Sequence, residues 1–365
     1  MSDERDTRHE RLRERLRELG ADGFIVFSNE YDNRANIQYL SGFTGSAAVI
    51  VAGMQDARLI VDSRYFEQAE QESYIPVLHM ADRDPWDEIK RAVSELDIKK
   101  MAFEEDKLSV KRHALLLENG LSAVPAPQIV MQLRAVKGPE EIRWVRRACK
   151  IAACAFESIV DKVHVGMTER QMATLLADAM RVRGADQLVK GHFVAASGPR
   201  GCRPHGVFSD RVVEDGDMIT FDFGAVTGGY VSDMTRTLAF GTPSEKMLDI
   251  YDTALEANKL ALKSISAKVT GAEVNDVVRG YLKKRGYDEF MKHAPGHGIG
   301  LELHELPNIN PANGDKLPVG AVVTIEPGVY LPGLGGVRIE DDVLVTEDGC
   351  EVLTADSPKE LRILV

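Results

Sequence analysis

Five residues in the C-terminal half of this sequence have the types needed to hold hard divalent cations: Asp222, Asp233, His297, Glu326 and Glu340. Carboxylate oxygens with a single imidazole suit Mn2+, Co2+, Fe2+ or Zn2+ as a dinuclear pair, whereas a structural zinc prefers cysteine and histidine. The first two lie in residues 218–236, MITFDFGAVTGGYVSDMTR, which read as a β-hairpin. An apolar run (219–223) meets a turn with Gly228 and Gly229, and a second run (230–240) follows. Strand alternation puts Thr220, Asp222 and Gly224 on one face, and Val231, Asp233, Thr235 and Thr237 on a face of the partner strand. A carboxylate inside an apolar strand costs on the order of several kcal/mol unless it is paired or binds a cation. Two on paired strands also repel, and a bridging cation removes both penalties.

The other three stand in distinct settings. His297 lies among glycines in APGHGIG (294–300), which allow close backbone approach and a rigidly presented imidazole. Glu326 ends an apolar run in VVTIEPG (322–328), and Glu340 shares a strand face with Arg338 in GVRIED (336–341). His205 and His304 sit in polar, turn-forming surroundings. Taken singly, each residue has an ordinary structural reading. One aspartate is then exposed at a strand end and the other caps a turn. Glu326 is a turn residue before Pro-Gly, His297 a loop hydrogen-bonder, His205 plain loop, and Arg338 with Glu340 a surface ion pair of little worth. Other chemistries drop out on spacing. His304-Glu305 lacks the second histidine of HExxH, residues 294–300 are not GxGxxG, and GFTGS (42–46) lacks the lysine of a phosphate loop and precedes a strand.

The elements that must position these residues are legible in outline. With 365 residues, 44% hydrophobic and 28% charged, the chain has the material for two globular domains. A formal charge of −12 disfavours nucleic acid and anionic membranes as partners. Four cysteines without a CxxC pair read as reduced, mostly buried thiols of a cytoplasmic protein. Residues 1–19 read as a solvated amphipathic helix rather than a signal peptide, and no run approaches the roughly 20 apolar residues of a membrane span. Strand and helix patterns then alternate to about residue 119, with 36–46 as a loop, predicting an α/β domain with a mixed sheet. Pro125 and Pro127 break the pattern, and the domains are placed at 1–132 and 133–365. A long helix is expected after Pro139, and another over 168–183 behind a Thr168–Gln171 capping box. Residues 190–203 read as a Gly-rich loop leading to His205. No internal repeat emerges from the sequence.

The ordered set Asp, Asp, His, Glu, Glu comes with DFG at Asp222, SDMTRT around Asp233, GHGIGLELHE around His297, IEPGVY at Glu326 and GGVRIEDD at Glu340. In these motifs, in the separation of 11 between the aspartates and in the step of 7 from His297 to His304, the C-terminal half resembles the pita-bread metallopeptidases. It is most similar to the branch acting at Xaa-Pro bonds, aminopeptidase P and prolidase. NIQYLSGFTGSAAVIV (36–51) and LIVDSRYFEQAEQE (59–72) extend the likeness more loosely to the N-terminal half.

The resemblance implies an α+β protein in which a smaller creatinase-like α/β domain precedes a pita-bread catalytic domain. It implies two divalent metal ions, manganese first, with cobalt or zinc as alternatives. Asp222 would chelate one metal, Asp233 and Glu340 would bridge, and His297 and Glu326 would hold the second. Glu326 would also move the proton of the attacking water. His205 would contact substrate near the scissile bond, and His304 would stabilise the oxyanion. Arg338, Tyr330 and Thr235 would orient carboxylates or line the pocket. The implied activity is Xaa-Pro aminopeptidase, on a peptide with proline in second position, by a homodimer. The alternatives are Xaa-Pro dipeptidase (prolidase), a non-catalytic binding module of the same shape, and a lyase or organophosphate hydrolase on the same scaffold.

Overall fold

The computed structural model describes residues 2–30, 32–81 and 83–364, apart from the side chains of 2–6, 190 and 192. The chain divides into two units, Met1–Arg134 and Ala135–Val365. Among the described residues no helix is long and apolar enough to cross a membrane.

The first unit runs α1 (Ser2–Glu18), β1 (Gly23–Phe27), α2 (Arg34–Ser41), β2 (Val49–Gly53), β3 (Ala57–Val61), α3 (Phe66–Glu72), β4 (Val77–His79), α4 (Trp86–Glu95), β5 (Lys100–Phe103), α5 (Val110–Glu118), β6 (Ser122–Pro125) and α6 (Ile129–Arg134). Its sheet has the order β4-β3-β2-β1-β5-β6. The β1–β2 and β2–β3 pairs are antiparallel, and the rest are parallel. Continuous apolar runs such as GFIVF and VIVAG are buried at every position, as sheet strands covered on both faces require. In α1, Leu12 and Leu16 are buried, so the helix has a packed stripe as well as its charged face. The expected loop at 36–46 is corrected: α2 occupies most of it. Its residues Ile37, Tyr39 and Leu40 are buried, and Gly42 ends the helix in the left-handed region (φ 81°).

A buried carboxylate in this unit gives a pH-dependent signature. Glu104 accepts hydrogen bonds from Val130 N (2.9 Å) and Asn36 Nδ2 (2.7 Å), yet burial pushes its pKa up to about 7. An acid raised in the folded state contributes stability that is complete below its unfolded value of 4.5 and is lost as pH rises through about 7. The loss is on the order of 3 kcal/mol. Measured by denaturant unfolding, wild-type stability relative to Glu104→Gln should therefore decline between pH 5 and pH 8. A constant difference across that range would refute the assignment.

The second unit places helix pairs against antiparallel strands twice. First come α7 (Pro139–Val160), α8 (Glu169–Val182), β7 (Gln187–Ser197), β8 (Met218–Thr227), β9 (Tyr230–Val231) and β10 (Met234–Phe240). Then follow α9 (Glu245–Ser264), α10 (Gly271–Arg285), β11 (Gly296–Gly298), β12 (Glu305–Ile309), β13 (Val322–Ile325), β14 (Gly328–Leu331), β15 (Gly335–Arg338), β16 (Asp341–Val345), β17 (Cys350–Val352) and β18 (Ile363–Leu364). One sheet is ordered β18-β10-β8-β7 with β9 beside β8, another β12-β11-β13-β16-β17, and β14 pairs with β15. Each sheet has its own core. Phe156, Leu176 and Met180 pack on Phe221, Phe223 and Phe240 in the first, and Tyr251, Ala254 and Val278 pack with Val323, Ile325 and Val343 in the second. This repeated order is invisible in the sequence, because the two halves share layers and not residues.

Both expected helix starts are capped. Thr168 and Gln171 form the reciprocal box at α8, and Glu141 returns to the Gly138 N–H at α7. The expected loop at 190–203 is corrected. Its first part belongs to β7, whose register shifts between Leu188 and Phe193, and Gly198–Cys202 forms a 3-10 turn. Pairing with the apolar β8 outweighs the local turn signal. Of the four free cysteines only Cys149 is fully buried, and the other three are partly exposed.

Candidate metal centre

Asp222 lies in β8 opposite Thr235 of β10 and Val194 of β7, with its side chain almost fully buried. Asp233 is buried too, so neither aspartate is exposed at a strand end. The hairpin expected across 230–240 is interrupted, however. Asp233 falls in the break between β9 and β10, and its N–H is given to Asp342 Oδ2 (2.8 Å) instead of a ladder partner. Despite the break, Asp233 and Thr235 both turn to Glu340, as residues two apart on one strand face do.

His297 sits in β11, within a frame that only glycine permits. A Cβ on Gly296 would meet Thr324 O at 2.0 Å, and one on Gly298 would meet Leu306 O at 2.3 Å. The backbone N–H of His297 donates to Thr324 Oγ1 (3.1 Å). Its Nδ1 faces Gly298 O (3.0 Å), which directs Nε2 to the carboxylates. Nε2 lies 3.7 Å from Asp233 Oδ2 and 3.5 Å from Glu326 Oε1. Glu326 follows β13 directly, and Glu340 lies between β15 and β16, two residues beyond Arg338 at the end of β15.

Asp222, Asp233, His297, Glu326 and Glu340 line one cavity of about 290 Å³, together with His205, His304, Arg338, His293 and Asn308. Among the described residues, Asp233, His297 and Glu340 offer ligating atoms all within 4.8 Å of one another. Asp222 stands apart from that trio in one respect, since it forms a buried ion pair with Arg338. His205 and His304 are exposed at the rim, where the His304 ring packs on His297 with centroids 4.3 Å apart.

The electrostatics favour a cation. Burial, and then the charges of Asp233, Glu326 and Asp222, drive the Glu340 carboxyl well above the usual carboxylate range, with Arg338 opposing. Four carboxylates around one imidazole repel each other, and a divalent cation turns that repulsion into attraction. The hard, oxygen-dominated donor set fits such an ion.

Thr235 and Arg338 tie the carboxylates together. Thr235 Oγ1 donates to Glu340 Oε2 (2.6 Å) and accepts from Arg338 Nε (3.1 Å). Arg338 Nη1 also donates to Tyr330 OH (2.6 Å) and Pro204 O (3.2 Å). Arg338 is therefore no surface ion pair; it is buried and every arm of its fork is used. Tyr330 OH in turn meets His293 Nε2 at 2.7 Å. His293 Nδ1 faces Ala294 O (2.8 Å), so this nitrogen carries the proton and Nε2 accepts from Tyr330. Burial, with Arg338 second, lowers the His293 pKa to about 4, and burial raises that of Tyr330 to about 12. Both are neutral at neutral pH.

The sequence reading passed over His293 and Asn308. His293 stands four residues before His297, a spacing that invites attention on a helix but not in the extended segment found here. Asn308 carried no signal, since it reaches the cavity only through the pairing of β12 with β11.

Comparison with known proteins agrees with this picture. The profile of Metallopeptidase family M24 matches residues 143–347, and that of the Creatinase/Prolidase N-terminal domain matches residues 8–136. A structure titled Xaa-Pro dipeptidase from Bacillus anthracis superposes with a TM-score of 0.93 at 40% identity, covering 99% of this chain and 100% of that one. The X-Pro aminopeptidase from Thermotoga maritima gives 0.89 at 39% identity, over 96% and 100%. The Xaa-Pro dipeptidase of Pyrococcus furiosus is 37% identical over 87% of this chain and 90% of its own. The fold class expected from the sequence, a creatinase-type domain before a pita-bread domain, holds.

Proposed function

This chain belongs to metallopeptidase family M24, and from that premise we propose that it hydrolyses the peptide bond preceding proline in short peptides. The observation that carries the reading is the convergence of Asp222, Asp233, His297, Glu326 and Glu340 on one small cavity. These residues would hold two divalent ions, with manganese the first choice and cobalt or zinc the alternatives. When bound, the ions supply an acidified water and polarise the scissile carbonyl.

The chain's own residues do the rest. Glu326 presents Oε1 towards His297 and Oε2 towards His293 Nδ1 (3.4 Å), a position from which it takes a proton and returns it to the leaving nitrogen. His304, at the rim beside His297, donates to the developing oxyanion. His205, on the opposite strand connection, contacts the substrate near the scissile bond. Arg338 fixes Asp222 directly and Glu340 through Thr235, so the carboxylates keep their orientation during turnover. The leaving nitrogen of proline has no N–H in the peptide, so selection rests on the fit of the ring.

Replacing His304 by alanine should lower kcat by about 10²–10³ with metal content unchanged. Loss of metal from that variant would make His304 a ligand and overturn its role here.

Two substrate lengths share this chemistry. Hydrolysis of Xaa-Pro dipeptides is supported by the Xaa-Pro dipeptidases of Bacillus anthracis and Pyrococcus furiosus among the relatives, and a cavity of about 290 Å³ suits a short substrate. Release of the first residue from a longer peptide has the Thermotoga maritima relative in support. The test is hydrolysis of Ala-Pro against Ala-Pro-Ala with Mn2+, and with a chelated control. Chelator-sensitive cleavage of Ala-Pro is expected. Cleavage of the tripeptide alone would replace the dipeptidase reading with the aminopeptidase one, and cleavage of neither would reject the substrate class.

A further inference from the structure

A cavity larger than the one at the candidate metal centre lies within the first unit, far along the sequence from the candidate metal ligands. It measures about 740 Å³, inside the range of roughly 300–1,000 Å³ typical of small-molecule sites. Its walls are the carboxyl edge of the sheet: Phe27 and Ser28 at the end of β1, Asp62 after β3, Met80 after β4 and Asp106 to Ser109 after β5. From β1 the chain pairs outward through β2, β3 and β4 on one side, and β5 and β6 then fill the other. The β1/β5 boundary is thus the point where strand order reverses, and open α/β sheets bind ligands in the crevice at that point.

Charge in the cavity is unevenly spent. Arg64 is paired with Asp62 (2.8 Å) and Lys107 with Asp32 (3.6 Å). Arg83, Lys111 and Arg112 line the same cavity, the first two exposed; the charges of Asp62 and Asp32 act on Arg83 and Arg112, but among the described residues no carboxylate stands within ion-pair distance of the three. Arg112 is the most constrained of the three. It is half-buried, its guanidinium lies over the Phe27 ring at 4.8 Å, and burial pulls its pKa below the ordinary value. Trp86, on the same wall, packs against Phe27 with centroids 6.0 Å apart. Lys111 and Arg112 also belong to the first turn of α5, whose positive dipole end adds to the field although Ser109 Oγ caps the Arg112 N–H (3.3 Å). The one unpaired carboxylate among the lining residues is Asp106. The lining thus carries five cations, Arg64, Arg83, Lys107, Lys111 and Arg112, against three carboxylates, Asp32, Asp62 and Asp106, an excess of positive charge beside an aromatic wall that favours an anion.

We propose that this cavity binds a small organic phosphate with a flat ring, the chemical class of a mononucleotide. The phosphate lies between Arg112, Lys111 and Arg83, and the ring lies along Trp86. Guanidinium and ammonium groups at a helix start recognise a dianionic phosphate better than a monocarboxylate. The site is independent of the hydrolytic reading, because no lining residue belongs to the metal centre.

Tryptophan fluorescence tests it directly, since the chain has only Trp86 and Trp144. In the full-length Trp144→Phe protein, Trp86 is the single reporter. Adenosine monophosphate should change its emission saturably, with adenosine and benzoate at least about tenfold weaker. Lys111→Met with Arg112→Met should weaken binding tenfold or more, as loss of charge-assisted contacts predicts. Asp106→Asn should tighten it, an effect in the opposite direction that damage to the fold cannot mimic. No saturable change with adenosine monophosphate or inorganic phosphate would overturn the proposal. So would equal binding of adenosine, affinity unmoved by the double variant, or a signal that follows protein concentration rather than added anion.

Discussion

Asp233→Ala is expected to lose metal and hydrolysis together, with activity falling by more than the roughly 10–100-fold that removal of a supporting residue costs. Asp233 is one of the three residues whose ligating atoms lie within 4.8 Å of one another, and its Oδ2 lies 3.7 Å from His297 Nε2. The substitution leaves the backbone untouched, so the N–H at 233 still reaches Asp342. Folding without metal should not suffer. Asp233 is a source of the upward shift in both Glu340 and Asp342, after burial in each case, so its removal relieves repulsion between buried carboxylates. The metal-free variant should therefore melt at or above the metal-free wild type, while the added stability that metal gives the wild type is lost. Metal content by elemental analysis, hydrolysis of Ala-Pro and calorimetry with and without chelator read the three effects separately. Normal metal content with full activity would remove Asp233 from the site, and a large loss of stability in the metal-free state would make its role structural.

Arg236→Met is expected to destabilise the second unit by about 3–5 kcal/mol, the cost of breaking a buried ion pair from one side. Arg236 is the largest of the fully buried side chains among the described residues, and it lies in β10 three residues after Asp233. Its guanidinium donates to Asp341 Oδ1 (2.9 Å), Ser357 O (2.7 Å), Thr235 O (2.9 Å) and Glu340 O (2.5 Å). Burial works against the charge on Asp341, but Arg236 and then Lys359 outweigh it and hold the pKa below the usual value. Methionine fills part of the space and satisfies none of these acceptors. Lys359 remains on Asp341 Oδ2 (2.6 Å), which keeps the loss near the lower end of the range. In a unit of this size the midpoint should fall on the order of 10 °C. Because Glu340 O is one of the orphaned acceptors, metal affinity should fall too, but less than in Asp233→Ala. A midpoint within 2 °C of wild type would mean that water or Lys359 replaces the guanidinium.

The candidate metal donors stood out in the sequence as an ordered set of motifs, although each alone has an ordinary structural reading. A buried-strand aspartate, a histidine framed by glycines that admit no Cβ, and a glutamate ending an apolar run are each local statements, readable without knowing the fold. Most elements were legible for the same reason. Apolar runs bounded by turns and capped helix starts are local, and α7, α8, β1 and β3 fell close to where the patterns put them. What failed was decided at long range. Residues 187–197 form a strand because β8 offers an apolar partner, against their own glycine and charge. Asp233 leaves the strand ladder because its N–H finds Asp342, 109 residues away. Arg236 and Thr235 of β10 acquire their roles only when Asp341 and Glu340 are brought against them, and Arg338 of β15 only when it meets Asp222 of β8, across separations of about a hundred residues. Motifs and their order single out the candidate ligands, whereas the hydrogen bonds and charges that hold them belong to pairs of segments that only the tertiary structure brings together.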